Sequence, residues 1–111
     1  MHTLKPRLDG APLEKCLALI LGDYSPEEAA NIIDTFINPL DEPTSRLIGN
    51  ARTELIQAAR MNRLDNLEHS LSFIASAKAK LREAALLWLE KRTCPCCIEA
   101  RERLEREGKE T

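Results

Sequence analysis

The residues best able to do chemistry are three cysteines within a run of four. In TCPCC, residues 93–97, Cys94 and Cys97 form a C-x-x-C pair, with Pro95 inside it and Cys96 as an extra thiol. At a helix start the backbone dipole favours the thiolate, so this spacing suits a redox pair or a pair of metal ligands. Zinc takes four nitrogen or sulfur ligands in a tetrahedron. The C-x-x-C supplies two, and Cys96 is too close in sequence to serve the same ion comfortably. The others would have to be Cys16, His69 or His2, or a second copy of the motif from another subunit, because the chain holds no second C-x-x-C. Cysteine is also a small apolar residue that fills tight corners. That packing role is the expectation here: no cofactor, with zinc on Cys94, Cys97 and Cys96 as the alternative.

The C-P-x-C spelling resembles the active site of glutaredoxins over four residues. That resemblance implies a β-sheet and a cis-proline loop, and the chain offers neither pattern. His69 lies four residues after Asp65 and four before Phe73, an arrangement that could orient an imidazole on a helix, although a lone helical histidine is ordinarily a surface residue. No serine stands in a nucleophile turn, no glycine-rich phosphate loop occurs, and no paired carboxylates share an inner face. The chain is therefore not expected to be an enzyme.

Charge gives a second candidate site. Residues 1–42 carry three Lys/Arg against eight Asp/Glu, whereas residues 43–63 carry four Arg against one acid. On a helical wheel Arg46, Arg52, Arg60 and Arg63 fall opposite Leu47 and Leu55, with Asn50, Thr53 and Gln57 among them. Such a stripe suits phosphate or an acidic partner. The overall charge of −2 draws the chain to neither nucleic acid nor anionic membrane. The stripe thus reads first as a protein-facing or solvated surface, and the acids Glu27, Glu28 and Asp34 stand ready to neutralise it. A third candidate is AALLWL. Leu86, Leu87, Trp88 and Leu89 point all round a helix, so a fifth helix, a second subunit or a partner must cover some of them. Tryptophan is the residue most enriched at interface hot spots, which puts Trp88 beside the four arginines as a partner-binding candidate.

The elements that would position these residues are helical. Valine is absent and only four residues are aromatic, so strand-favouring types are scarce. In APLEKCLALILGD, Pro12 suits a first turn and Gly22 a stop, and Leu13, Cys16, Leu17 and Ile20 repeat at helical spacing. In SPEE, Ser25 caps, Pro26 takes the first position, and Glu28 stands three residues after the cap. Ala29, Ile32, Ile33 and Phe36 follow as one stripe, closed by NPLDEP with Pro39 and Pro43. A third helix is predicted from Thr44 to Met61 with Leu47, Ala51, Leu55 and Ala58 inward. A fourth is predicted from Leu64 to Arg92. Its Leu64, Leu67, Leu71, Ile74, Lys78, Leu81, Ala85 and Trp88 make a heptad-like seam containing one lysine. The boundary near MNRLDN is the least defined, with a continuous helix or a break at Ser70, Ser72 and Ser76 as the options. The fifth helix, PCCIEARERLEREGKE, has only Ile98, Ala100 and Leu104 as anchors and is expected to be short and surface-lying.

At 111 residues the chain is expected to be one domain: a helical core over 10–92, then a cysteine-containing turn and charged helix over 93–111. The fold class expected is all-α, a compact bundle of four main helices plus a short C-terminal helix, with Leu17, Ile32, Phe36, Leu55, Leu71 and Leu81 in its core. With 43% hydrophobic and 31% charged residues the composition is globular rather than disordered. No run approaches the ~18 apolar residues of a membrane span. The opening MHTLKPRLDGAPLEK shows no apolar stretch directly after basic residues, so a reducing cytoplasm is the expected setting. The function expected is a small non-catalytic protein-binding regulator, adaptor or inhibitor of a larger assembly, of the accessory kind that phages and plasmids carry. Its partner would be another protein or complex, or a second copy of the chain. The two alternatives are a nucleic-acid-binding regulator using the arginines, and a zinc- or thiol-dependent sensor using CPCC.

Overall fold

The computed structural model describes residues 12–38, 42–90 and 95–109, with the side chains of all but residues 96 and 107–109 among them. The described residues form five α-helices and no strand. They are α1 (Pro12–Leu21), α2 (Pro26–Asp34), α3 (Glu42–Arg63), α4 (Leu67–Glu90) and α5 (Pro95–Lys109). This is the predicted all-α arrangement of four main helices and one C-terminal helix.

Local chemistry sets most of the helix ends. α1 stops at Gly22, whose N–H bonds to Ala18 O at 2.8 Å. A Cβ at Gly22 would lie 2.6 Å from that same oxygen and 2.5 Å from the Tyr24 ring, so no side chain fits there. α2 opens as predicted: the Glu28 N–H donates to Ser25 Oγ at 3.2 Å, and Pro26 begins the helix, where its missing N–H costs nothing. α3 starts two residues before the predicted Thr44, because Pro43 fits inside a first turn rather than only ending the helix before it.

The uncertain boundary between the third and fourth helices resolves as a break over residues 64–66. The Asn66 N–H reaches Met61 O at 2.8 Å and the Asp65 N–H reaches Asn62 O at 3.1 Å. Those two bonds are a Schellman closure, and Asp65 takes the left-handed position that glycine usually holds, at φ 56°. Asn66 then caps α4, its Oδ1 accepting from the His69 N–H at 3.4 Å. The fourth helix therefore begins at Leu67, not Leu64, and Ser70, Ser72 and Ser76 lie inside it without breaking it.

Cross-links fix the direction of each helix. Lys15 Nζ, early in α1, donates to Thr35 Oγ1, just past α2, at 3.2 Å. Arg63 at the end of α3 pairs with Glu27 at the start of α2, and Arg52 pairs with Asp34 at its end. Lys80 of α4 pairs with Glu54 of α3. The first four helices consequently run up, down, up, down. The Glu54–Lys80 pair also sets the register of α3 on α4. It brings Ala58 level with Ala77 and Ala51 level with Ala84, so the inner face of this hairpin is built of small buried residues. α1 lies on the neighbouring side of α4, where Cys16 Sγ donates to Leu81 O at 3.3 Å. α5 packs on α4 and adds Cys97 and Leu104 to a hydrophobic cluster that draws on all five helices.

Several predicted positions need correction. Leu17, Phe36, Leu55 and Leu81 are buried as expected, and Ile32 is only partly so. Leu71 is exposed, and so are Leu64 and Leu67. Over the first half of α4 the core-facing residues are Ser70 and Ala77, because α3 approaches on that side; the leucine seam lies some 60–100° round the helix. The seam is buried only in its second half, at Leu81 and Ala85, and Trp88 at its end is partly buried. On α3, Ile48 is fully buried and Leu47 only partly. On α5, Ile98 faces outward while Cys97 and Leu104 anchor the helix.

Candidate functional site

The cysteines separate. Cys16 is fully buried at the α1–α4 contact, and burial pushes its thiol well above the ordinary range. It is a neutral hydrogen-bond donor to Leu81 O and not a nucleophile. Cys97 is fully buried in the α5 anchor. Cys94 lies outside the described residues, as do His2 and the Cys96 side chain. Pro95 is the first residue of α5, the position its fixed φ suits. Among the described residues no three His, Cys, Asp or Glu side chains come together in a metal-holding group. His69 is exposed, and its Nδ1 sits 2.9 Å from Asn66 Oδ1, so its ring belongs to the cap of α4.

The four arginines do not form one free stripe. Arg52 makes a side-on pair with Asp34, its Nη2 donating to Oδ2 at 3.3 Å, and Arg63 Nη2 donates to Glu27 Oε1 at 3.0 Å. Arg46 pairs within its own helix with Glu42 at 3.3 Å. Arg60 is exposed. The α2–α3 groove is lined by Glu27, Asn31, Arg52, Ile56 and Arg63, and Asp34 beside it balances the charge of Arg52. Arg52 and Arg63 join two helices of the bundle, each pair contributing about 0.2–1 kcal/mol at this exposure. Two of the three acids expected to neutralise the arginines do so, Asp34 for Arg52 and Glu27 for Arg63.

Trp88 is partly buried and packs against the core together with Leu86, while Leu89 is fully inside. None of the four residues of LLWL is exposed. The cover that this run demands is supplied within the chain, with α5 packed on α4 and contributing Leu104 to the same cluster.

A different surface lacks cover. Leu64, Leu67 and Leu71 are each 65% exposed and follow one another along one side of the α3–α4 turn and the first turns of α4. Ile74 and Lys78 continue the line and are half-buried. The geometry explains why nothing in the described fold covers it. α1 has 10 residues and α4 has 24, lengths of about 15 Å and 36 Å at 1.5 Å per residue. Running antiparallel to α4 from the Cys16–Leu81 contact, α1 ends at Leu21, about level with Ser76. α2 reaches the turn, but on the far side of α3, where Glu27 meets Arg63. The sequence pattern placed Leu71 in the core and Leu64 and Leu67 on the same seam. The signal that would have turned them outward was the small-residue line Ser70, Ala77 and Ala84, spaced by sevens on a different side of the same helix.

Comparison of the chain with protein-family models, with curated proteins and with solved structures found no match.

Proposed function

We propose that this chain is a small non-catalytic helical interaction module that docks through the Leu64–Leu67–Leu71 face. One observation carries the reading. Leu67 and Leu71, each mostly exposed, stand one helical turn apart on a helix whose other large aliphatic residues are mostly covered, and Leu64 is exposed in the turn just before them. Scattered surface leucines need no explanation, but a contiguous apolar face rimmed by charge marks an interaction site. The neighbouring Glu68, Ser72 and Asp65 give that rim, the usual layout of an apolar centre with a polar edge. A regulator, adaptor or inhibitor needs no more chemistry than this. The nucleic-acid alternative draws less support, since three of its four arginines are already held by carboxylates.

The test is a comparison of wild type with Leu67→Lys and Leu71→Lys as baits and as purified proteins. Both variants should keep the helical signal and melting temperature of wild type while losing specific association with helical partners. Unchanged association in both would remove the face from consideration.

A further inference from the structure

We infer that the occupant of the leucine face is a second copy of this chain, whose α4 lies antiparallel against the first; this rests on the reading that the face is a docking surface. The argument starts from the two charges that bracket the apolar line. Glu68 stands beside Leu67 at its start and Lys78 stands in the seam at its end. Among the described residues neither has a hydrogen bond or an ion-pair partner, although Arg46, Arg52, Arg63, Lys80 and Arg101 all do.

An apolar line with an acid at one end and a base at the other is its own complement only when reversed. A two-fold axis passing between Leu71 and Ile74 sets Leu71 of each chain against the other's Ile74. It also brings each Lys78 beside the opposite Leu67 and Glu68. Both unpaired charges are then matched twice, once at each end. A parallel arrangement would put Glu68 on Glu68 and Lys78 on Lys78. Closed two-fold contact between identical faces is the commonest way for a soluble chain to associate. Leu67, Leu71, Ile74 and Lys78 of α4 also keep the three-and-four spacing that lets side chains of one helix seat between those of another. A lysine at one such position fixes register at some loss of strength. The contact spans only about three turns of helix on each side, well short of the ~800 Å² per partner of a standard interface. The dimer is accordingly weak, with dissociation on the order of micromolar or above.

Sedimentation equilibrium from about 1 µM to 1 mM tests the arrangement, with circular dichroism confirming that every variant is folded. Wild type should pass from monomer to dimer across this range. Glu68→Lys alone and Lys78→Glu alone each replace two attractions by two repulsions and should weaken the dimer roughly tenfold or more. The Glu68→Lys/Lys78→Glu double variant restores opposite charges in the reversed arrangement and should return to wild-type association. Leu71→Lys should remain monomeric throughout. Wild type that stays monomeric to 1 mM, a double variant no tighter than the single ones, or a dimer that survives Leu71→Lys would each overturn the proposal. The docking reading fails separately: if wild type is monomeric but Leu67→Lys and Leu71→Lys still abolish binding to another helical partner, the face is a docking surface for a different occupant. If those variants change neither self-association nor partner binding, both readings fall.

Discussion

One helix carries one apolar seam, and its two halves meet opposite fates. At Leu81 and Ala85 the seam is inside the molecule and at Trp88 partly so, with α1 joined to it through the Cys16–Leu81 hydrogen bond and α5 packed on the same helix. From Leu67 to Leu71 the same seam, in the same helix with the same residue type, faces solvent. The difference lies in neighbours and not in α4 itself. α1 is too short to reach the first turns, and the chain returns to α4 as α5 only after its far end. Periodicity therefore states that a helix has an apolar side; it does not state how much of that side the rest of the chain can reach. The two halves should respond differently to substitution, and that contrast can be tested from the largest effect to the smallest.

The largest effect is expected in the covered half. Leu81→Ala removes a side chain that is 1% exposed at the junction of α1 and α4. Thermal or denaturant unfolding should show a loss of about 2–5 kcal/mol, the usual range for a buried leucine. A loss below about 0.5 kcal/mol would mean that this half is no better covered than the other.

Titration gives the next contrast, through Cys16. Burial holds its folded-state thiol above the ordinary value of 9.0 that the unfolded chain would show. A raised pKa means that the folded state keeps its proton where the unfolded state has lost it. The contribution is fully present below about pH 9 and declines as pH rises above that, at up to about 1.4 kcal/mol per pH unit from this one group. Wild type should therefore lose stability between pH 9 and 10.5 more steeply than Cys16→Ala, whose lower baseline should be flatter. Parallel curves for the two proteins would show that Cys16 is not sealed between α1 and α4.

These outcomes bear on what the sequence made legible. The start of α2 could be read from Ser25, Pro26 and Glu28 alone, because a cap is local chemistry within four residues. The inward Cys16 was legible for the same kind of reason, since α1 is apolar on most sides and short. Leu71 was not legible. Its spacing from Leu67 and Ile74 is that of a core seam, and the rival line of small residues Ser70, Ala77 and Ala84 is identified as the core side by the register of Glu54 on Lys80, a contact between residues 26 apart. The α3–α4 break was hidden because Asp65 does the work usually assigned to glycine. The arginines were legible as a charged cluster but not as bridges, since the pairing with Asp34 and Glu27 depends on α2 folding back along α3.

A smaller effect should come from the junction itself. Among the described residues α3 is the neighbour of this half of α4, and Asn66 caps its first turn. Asn66→Ala should cost about 1 kcal/mol, the usual value of a lost cap. Hydrogen exchange should locate the loss in the amides of residues 68–72 rather than spread it through the bundle. Uniform loss of protection would show that α4 opens as a single unit and that its halves are energetically one.

The smallest effect is expected at the leucines themselves, and its dependence on concentration makes it the most informative. In dilute solution Leu71 touches little, so Leu71→Ala should change stability by less than about 0.5 kcal/mol, the ordinary range for surface positions. Self-association adds a term by mass action, because a partner that binds only the folded chain raises apparent stability by RT ln(1 + [L]/Kd). At a free concentration one hundred times the dissociation constant that term is about 2.7 kcal/mol. The melting temperature of wild type should thus rise with protein concentration, whereas that of Leu71→Ala should rise much less. The gap between the two proteins, near zero when dilute, should open as the solution is concentrated. Leu81→Ala should behave in the opposite way, carrying a large deficit that is the same at every concentration below the onset of association. If Leu71→Ala instead shows a fixed loss of several kcal/mol in dilute solution, then Leu71 is covered within the monomer and the two halves of the seam are alike after all.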